Sequence, residues 1–83
     1  MEIFNLNLYV VTPEFSSEEE SLFFDDLDDA MEEADEMAFR SVGFPLEDWE
    51  TVDFGGSNIL YVFYPNEEDR STRVKITVVK TID

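Results

Sequence analysis

Eleven carboxylates fall within nineteen consecutive residues of this chain, between Glu18 and Glu36. They are Glu18, Glu19, Glu20, Asp25, Asp26, Asp28, Asp29, Glu32, Glu33, Asp35 and Glu36. No lysine or arginine precedes Arg40 in the sequence. Grouped carboxylates can transfer protons, bind a hard cation, or pair with the basic side chains of another protein. These three kinds of chemistry are the candidates for this segment.

Proton-transfer catalysis is the weakest of the three. The chain contains no histidine and no cysteine, so the usual bases and nucleophiles are missing. Carboxylates alone catalyse glycoside hydrolysis, but they need a cleft that separates their pKa values. A domain of 83 residues offers little room for such a cleft. The sequence therefore predicts a protein that is not an enzyme and has no cofactor.

Cation binding at a specific site is also disfavoured. The run from Asp25 to Asp29 resembles the start of a calcium loop, but the glycine that such a loop requires is absent until Gly43. Adjacent acidic residues on a helix point in different directions and cannot converge on one ion. We expect diffuse attraction of cations and no metal site.

The overall charge restricts the possible partners. The formal net charge is −16, of which residues 1–39 carry −13 and residues 40–83 carry −3. Nucleic acid and anionic membranes both need basic side chains, so neither is expected to bind directly. The N-terminal segment lacks the features of a signal peptide, which predicts a cytoplasmic protein, or one in the host cytoplasm if a phage encodes it. The expected partner is a basic protein that binds nucleic acid.

A single helix is predicted to hold all of these carboxylates. Ser16 or Ser17 would be its N-cap, because each has a glutamate three residues later. Gly43, followed by Pro45, would end it. Apolar residues recur between these limits with helical spacing, at Phe23, Leu27, Ala30, Met31, Ala34, Met37, Ala38 and Phe39. The aromatic members of this stripe are expected in the core.

Strands are predicted on both sides of the helix, at residues 3–11, 49–54, 59–64 and 72–82. The element order β-α-β-β-β indicates a single α+β domain over residues 1–83, with one helix packed on a four-stranded, mostly antiparallel sheet. The last three strands should form a meander, with the first strand beside the last or near the middle. The face of the sheet away from the helix would carry Asn5, Asn7, Tyr9, Leu60, Val62, Tyr64, Arg73 and Lys75. Its apolar area suggests a second contact surface, so the protein is expected to be a monomer or a homodimer.

The predicted helix would lose stability by holding its charges. Two pairs of like charges lie four residues apart: Asp28 with Glu32, and Glu32 with Glu36. Each such pair lowers the stability of a helix by about 0.2–0.5 kcal/mol. Nineteen helical residues would span roughly 28 Å, which gives one charge per about 2.6 Å. Duplex DNA carries one charge per about 1.7 Å and a single strand one per about 3.4 Å. The predicted strip would therefore have the charge density of a nucleic acid.

This acidic strip, in a small cysteine-free α/β domain, resembles the DNA-mimic inhibitors of phages and mobile elements. That functional class includes anti-restriction proteins, anti-CRISPR proteins and uracil-glycosylase inhibitors. The resemblance implies that the chain occupies the nucleic-acid site of a basic host defence protein. The contact residues would be Asp25, Asp26, Asp28, Asp29, Glu32, Glu33, Asp35 and Glu36.

Two other interpretations stay open. An immunity-like or antitoxin-like protein could cap a basic toxin nuclease with the same helix and an aromatic anchor, either Phe24 or Trp49. The other interpretation of Trp49, and the favoured one, places it in the core. A protein adapted to high salt could also carry many acids, although the near balance of residues 40–83 does not fit an acidic surface spread over the whole domain.

Overall fold

The computed structural model describes residues 2–56 and 58–82 and has two layers: one helix on one face of a five-stranded sheet. The strands are β1 (Glu2–Val11), β2 (Ser16–Phe24), β3 (Glu50–Gly55), β4 (Asn58–Phe63) and β5 (Arg73–Ile82). The helix α1 spans Leu27–Val42, and a 3-10 turn follows at Leu46–Asp48. The sheet order is β2-β1-β5-β4-β3, with every neighbouring pair antiparallel. The α+β class is as predicted.

The prediction of four strands in the order β-α-β-β-β is wrong, because the segment expected to begin the helix is strand β2. This segment pairs with β1 along its length, from Phe4 opposite Phe24 to Val11 opposite Ser16. Its backbone groups therefore bond to a neighbouring strand instead of forming a helical turn. One extra residue, Glu19, bulges where the register shifts.

The start of the helix is correspondingly later than predicted. Asp26, and neither Ser16 nor Ser17, is the N-cap of α1, and its Oδ1 accepts a hydrogen bond of 2.8 Å from the N–H of Asp28. The end of the helix is confirmed at Gly43. This residue has φ of 82°, which glycine adopts without strain, and its N–H donates to the carbonyl of Phe39 at 2.8 Å.

The alternating strands at the two ends of the chain are confirmed, and they lie next to each other at the centre of the sheet. Alternate side chains of these two strands point towards the helix. The buried members of this set are Phe4, Leu6, Leu8, Val74, Ile76 and Val78. The prediction that the first strand could lie beside the last is therefore correct. So is the meander of β3, β4 and β5.

Small residues bring α1 close to this sheet. Ala30, Ala34 and Ala38 are completely buried, together with Met37. These four positions lie on one side of the helix, because they recur at intervals of three and four residues. The side chains on the opposite side of α1 therefore point to solvent. Within the part of the chain that the structure describes, no helix has the length and apolar composition needed to cross a membrane.

Candidate protein-binding surface

The carboxylate-rich segment does not form one continuous row, as predicted, but divides over two elements and the turn between them. Glu18, Glu19 and Glu20 belong to the edge strand β2, and Asp25 and Asp26 form the turn. Six carboxylates remain on α1: Asp28, Asp29, Glu32, Glu33, Asp35 and Glu36.

The charge density is lower than the single-helix prediction gave. The sixteen residues of α1 span about 24 Å, so its six carboxylates give one charge per about 4 Å of axis. This value lies slightly below the density of a single nucleic-acid strand, about one charge per 3.4 Å, and well below that of a duplex. The helix therefore offers a single charged strip and does not reproduce two phosphate backbones.

Three of the predicted contact residues have partners within the domain. Asp26 caps α1, and Asp35 Oδ1 accepts a hydrogen bond of 3.0 Å from the N–H of Leu46, which ties the helix to the 3-10 turn. Glu33 Oε1 lies 3.7 Å from Nη2 of Arg40. These side chains hold the fold together and are less available to another protein.

Five carboxylates point to solvent and have no hydrogen-bonding or ionic partner for their side chains in residues 2–56 and 58–82. They are Asp25, Asp28, Asp29, Glu32 and Glu36. We call this set the acidic face. The four that belong to α1 lie on the side of the helix opposite the buried alanines, and Asp25 lies just before its N-terminus. A rigid helix thus presents a row of unpaired negative charges.

Arg40, the basic residue in the last turn of α1, is already paired with carboxylates of the same domain. Nη2 of Arg40 lies 3.3 Å from Glu20 on β2 and 3.7 Å from Glu33 on α1. The guanidinium group thereby bridges the helix to the edge strand. It does not pair with any member of the acidic face, so the field of these five carboxylates is not reduced by a direct counter-charge.

An exposed aromatic residue accompanies the acidic face. Phe39 was predicted to lie in the core, which is wrong, because its side chain is 61% exposed. It follows Ala30 by nine residues, which places it about half a turn away on the solvent side. Phe39 lies three residues after Glu36 and lines a shallow apolar groove with Asp35, Glu36 and Arg40. Its wide separation in angle from Ala30 and Ala34 is the sequence signal that identifies it.

The other aromatic candidates do not share this position. Trp49 is only 5% exposed, its Nε1 donates to the carbonyl of Phe44 at 3.2 Å, and its ring lies 5.5 Å from that of Phe63. Of its two predicted positions, the core is the one observed. Phe24 is partly buried against the core, whereas Phe23, also expected in the core, points to the opposite face of the sheet and is 66% exposed.

The pKa values of Glu2 and Tyr61 are shifted by their surroundings. The ammonium of Lys80 bonds to Oε1 of Glu2 at 2.8 Å, and this hydrogen bond lowers the pKa of Glu2. Burial raises the pKa of Tyr61, and the negative charge of Asp53 adds to this shift. Among residues 2–56 and 58–82 no group of three or more carboxylates is arranged to hold a metal ion.

The division between structural and free carboxylates predicts opposite results for two neighbouring residues. Asp35→Ala should lower the free energy of unfolding by about 1–2 kcal/mol, because the N–H of Leu46 loses its acceptor. Glu36→Ala, its matched control, should change it by less than about 0.5 kcal/mol, because it removes a repulsion and no hydrogen bond. Urea denaturation of both variants measures the difference. Equal effects would contradict the structural role of Asp35.

No protein-family model, curated protein or solved structure matched this chain in the comparisons with known proteins.

Proposed function

We propose that this protein inhibits a basic, nucleic-acid-binding protein by occupying the site where that protein binds nucleic acid. The single observation that carries the proposal is the acidic face, a row of five unpaired carboxylates along one side of α1 and its N-terminal turn. A host defence nuclease of the restriction or CRISPR type is the proposed partner class, through the resemblance to phage DNA mimics.

The energetic cost of the acidic face supports a binding role. Asp28 and Glu32, and Glu32 and Glu36, remain like-charged pairs four residues apart on α1, at a cost of about 0.2–0.5 kcal/mol each. Only Asp28 and Asp29 gain from the helix dipole, because they lie in its first turn. Surface helices usually relieve such repulsion with lysine, and α1 contains none. If these carboxylates served only to keep the protein hydrated, nothing would prevent lysine or arginine residues of the same helix from pairing with them.

The mechanism we propose is competitive occupation. A groove that binds phosphates is lined by arginine and lysine, and these side chains would pair with Asp28, Asp29, Glu32 and Glu36. The field of a domain with a formal charge of −16 would steer association, so binding should be fast and should weaken as salt is added. The charge density of α1 is closer to that of a single strand than to that of a duplex, so a channel for a single strand or for one strand of a duplex fits it best.

Inhibition of purified nucleases tests this proposal. Restriction enzymes and RNA-guided nucleases would be assayed for DNA cleavage with and without the protein, at about 0.05 M and about 0.2 M salt. We expect at least one of them to be inhibited, more strongly at low salt. Inhibition that does not depend on salt would contradict an electrostatic mechanism, and so would the absence of inhibition across the panel.

A second candidate is supported by Phe39. An exposed aromatic ring with charged neighbours has the composition of an interface anchor, which an immunity-like protein could insert into the active site of a basic toxin nuclease. Trp49 cannot serve as this anchor while it stays in the core. In an immunity-like protein, Phe39 would contribute most of the binding affinity. In a DNA mimic, the carboxylates of the acidic face would contribute most of it.

Truncating Phe39 distinguishes these two candidates. Phe39→Ala should weaken binding to the partner about tenfold if the ring only adds apolar contact to the acidic face, and by more than about 100-fold if it plugs a pocket. Phe54→Ala is the matched control, since Phe54 is similarly exposed at the far edge of the sheet, and should leave affinity unchanged. Titration calorimetry with the inhibited nuclease gives both values. An equal loss in the two variants would exclude a specific role for Phe39.

A further inference from the structure

The sheet face turned away from α1, which we call the open face, carries exposed apolar side chains. The strand register places Phe23 beside Asn5 and Val79 in one row, and Val52 beside Leu60 in the next. Phe23 is 66% exposed, and Val52 and Val79 are also exposed. Within the described residues no helix covers this face. The register confirms the prediction that it combines polar and apolar residues.

The open face is nearly free of net charge in a strongly acidic molecule. At the paired strand positions that point to this side, the acidic residues are Glu18 and Glu50 and the basic residues are Arg73 and Lys75. Their formal charges cancel, although the whole chain carries −16. The carboxylates of α1 lie on the other layer. The open face is therefore the broad surface on which another acidic molecule would meet the least repulsion.

Buried amide groups mark the same face. The side-chain oxygens of Asn5 and Asn7 are buried and have no hydrogen-bond partner in residues 2–56 and 58–82, and Asn7 is only 7% exposed. Asn7 lies between Ser21 and Thr77 in the register. Most buried polar groups are paired in folded proteins. Two amide groups without a hydrogen-bond partner for their oxygens therefore lie at the centre of the open face.

We propose that the open face is a homodimer interface, on which a second copy of this chain packs sheet against sheet. The occupant is argued from charge: both open faces carry little net charge. Glu50 of each copy is paired with Arg70 of the same chain at 2.9 Å. Glu18 of one copy can therefore pair with Arg73 or Lys75 of the other across a two-fold axis. The resulting α-β-β-α arrangement directs the two copies of α1 to opposite outer sides. This orientation keeps the two acidic faces as far apart as the two domains allow.

Whether added salt strengthens or weakens the dimer distinguishes this arrangement from other ways in which two copies could associate. Sheet-to-sheet packing buries apolar groups and opposes the repulsion between two acidic domains, so added salt should strengthen it by screening. Packing of α1 from one copy on Arg73 and Lys75 of another would instead depend on attraction, and added salt should weaken it.

Sedimentation equilibrium of the purified protein tests the proposal, from about 1 μM to about 1 mM protein at about 0.1 M and about 1 M salt. We expect the mass to rise from 9.7 kDa towards twice that value, at lower protein concentration in high salt. A mass that stays at 9.7 kDa throughout would overturn the proposal, and so would a dimer that weakens with salt.

Two matched substitutions locate the interface. Phe23→Asp should weaken the dimer about tenfold or more, because it places a charge on the open face. Phe39→Asp is the control, since Phe39 is similarly exposed on the helix side, and should have no effect on the dimer. Val79→Asp is a second open-face variant, with circular dichroism to confirm that all three are folded. If Phe39→Asp weakens the dimer as much as Phe23→Asp and Val79→Asp do, the open face is not the interface.

Discussion

Replacing Asp28, Asp29, Glu32 and Glu36 with lysine is expected to weaken inhibition of the partner nuclease by at least about 100-fold. Each replacement turns a proposed attraction to a basic groove into a repulsion, and like charges placed opposite each other cost several kcal/mol. None of the four side chains bonds to another described residue. The domain should therefore stay folded, with a loss of about 1 kcal/mol from the unfavourable dipole interaction in the first turn of α1.

A control with the same change in net charge shows whether position matters. Glu14, Glu47, Glu67 and Glu68 are exposed residues of connecting segments outside the acidic face, and their replacement with lysine should weaken inhibition by less than about tenfold, through long-range steering alone. Inhibition constants measured for both variants give the comparison. Equal losses would mean that net charge, and not the acidic face, produces inhibition.

Replacing Trp49 with alanine is expected to lower the free energy of unfolding by about 3–5 kcal/mol. Trp49 packs on Phe63 and donates to the carbonyl of Phe44, so the change leaves a cavity and an unpaired acceptor. A domain of this size has few kcal/mol of total stability, so much of the protein should be unfolded. Urea denaturation followed by circular dichroism measures the loss.

Two further substitutions complete this test. Trp49→Phe should retain more stability than Trp49→Ala, because it keeps an aromatic ring in the core. Phe54→Ala should change stability little, since Phe54 is 68% exposed. A Trp49→Ala protein that stays as stable as the wild type but fails to inhibit would contradict the core position and support the anchor interpretation of Trp49.

The sequence was sufficient to predict the elements whose periodicity matches their burial. Strand β1 alternates Phe4, Leu6 and Leu8 with polar residues, and this alternation is what buries it on one face. The helical repeat from Leu27 onwards and the glycine at its end identify α1 for the same reason. These patterns are local and depend little on what the element packs against.

Strand β2 could not be predicted in this way, because its local sequence favours a different structure. Ser16 and Ser17 with Glu19 and Glu20 match a helix N-cap, and acidic residues are depleted in strands. Phe23 lies four residues before Leu27 and extends the helical repeat by coincidence. The segment is a strand because β1 pairs with it, and that pairing is a tertiary interaction that no local pattern contains. The helix begins instead after Asp26, the observed N-cap.

The candidate site was predicted in composition but not in geometry. The members of the acidic face were all among the predicted contact residues, whereas Asp26, Glu33 and Asp35 have partners inside the domain. Asp35 and Glu33 gain these partners because folding brings the 3-10 turn and Arg40 close to them, which the sequence alone does not show. The prediction that Phe39 lies in the core is wrong because the predicted apolar stripe is too wide for one helix face.

The proposed mechanism is tested most directly by measuring how tightly an inhibited nuclease binds labelled duplex DNA as the concentration of this protein rises. Competitive occupation predicts that the apparent dissociation constant for DNA rises linearly and without a plateau, and that excess DNA restores cleavage. The variant with Asp28, Asp29, Glu32 and Glu36 replaced by lysine should leave DNA affinity unchanged at the same concentrations. A plateau, or inhibition of cleavage while DNA stays bound with its original affinity, would contradict the account.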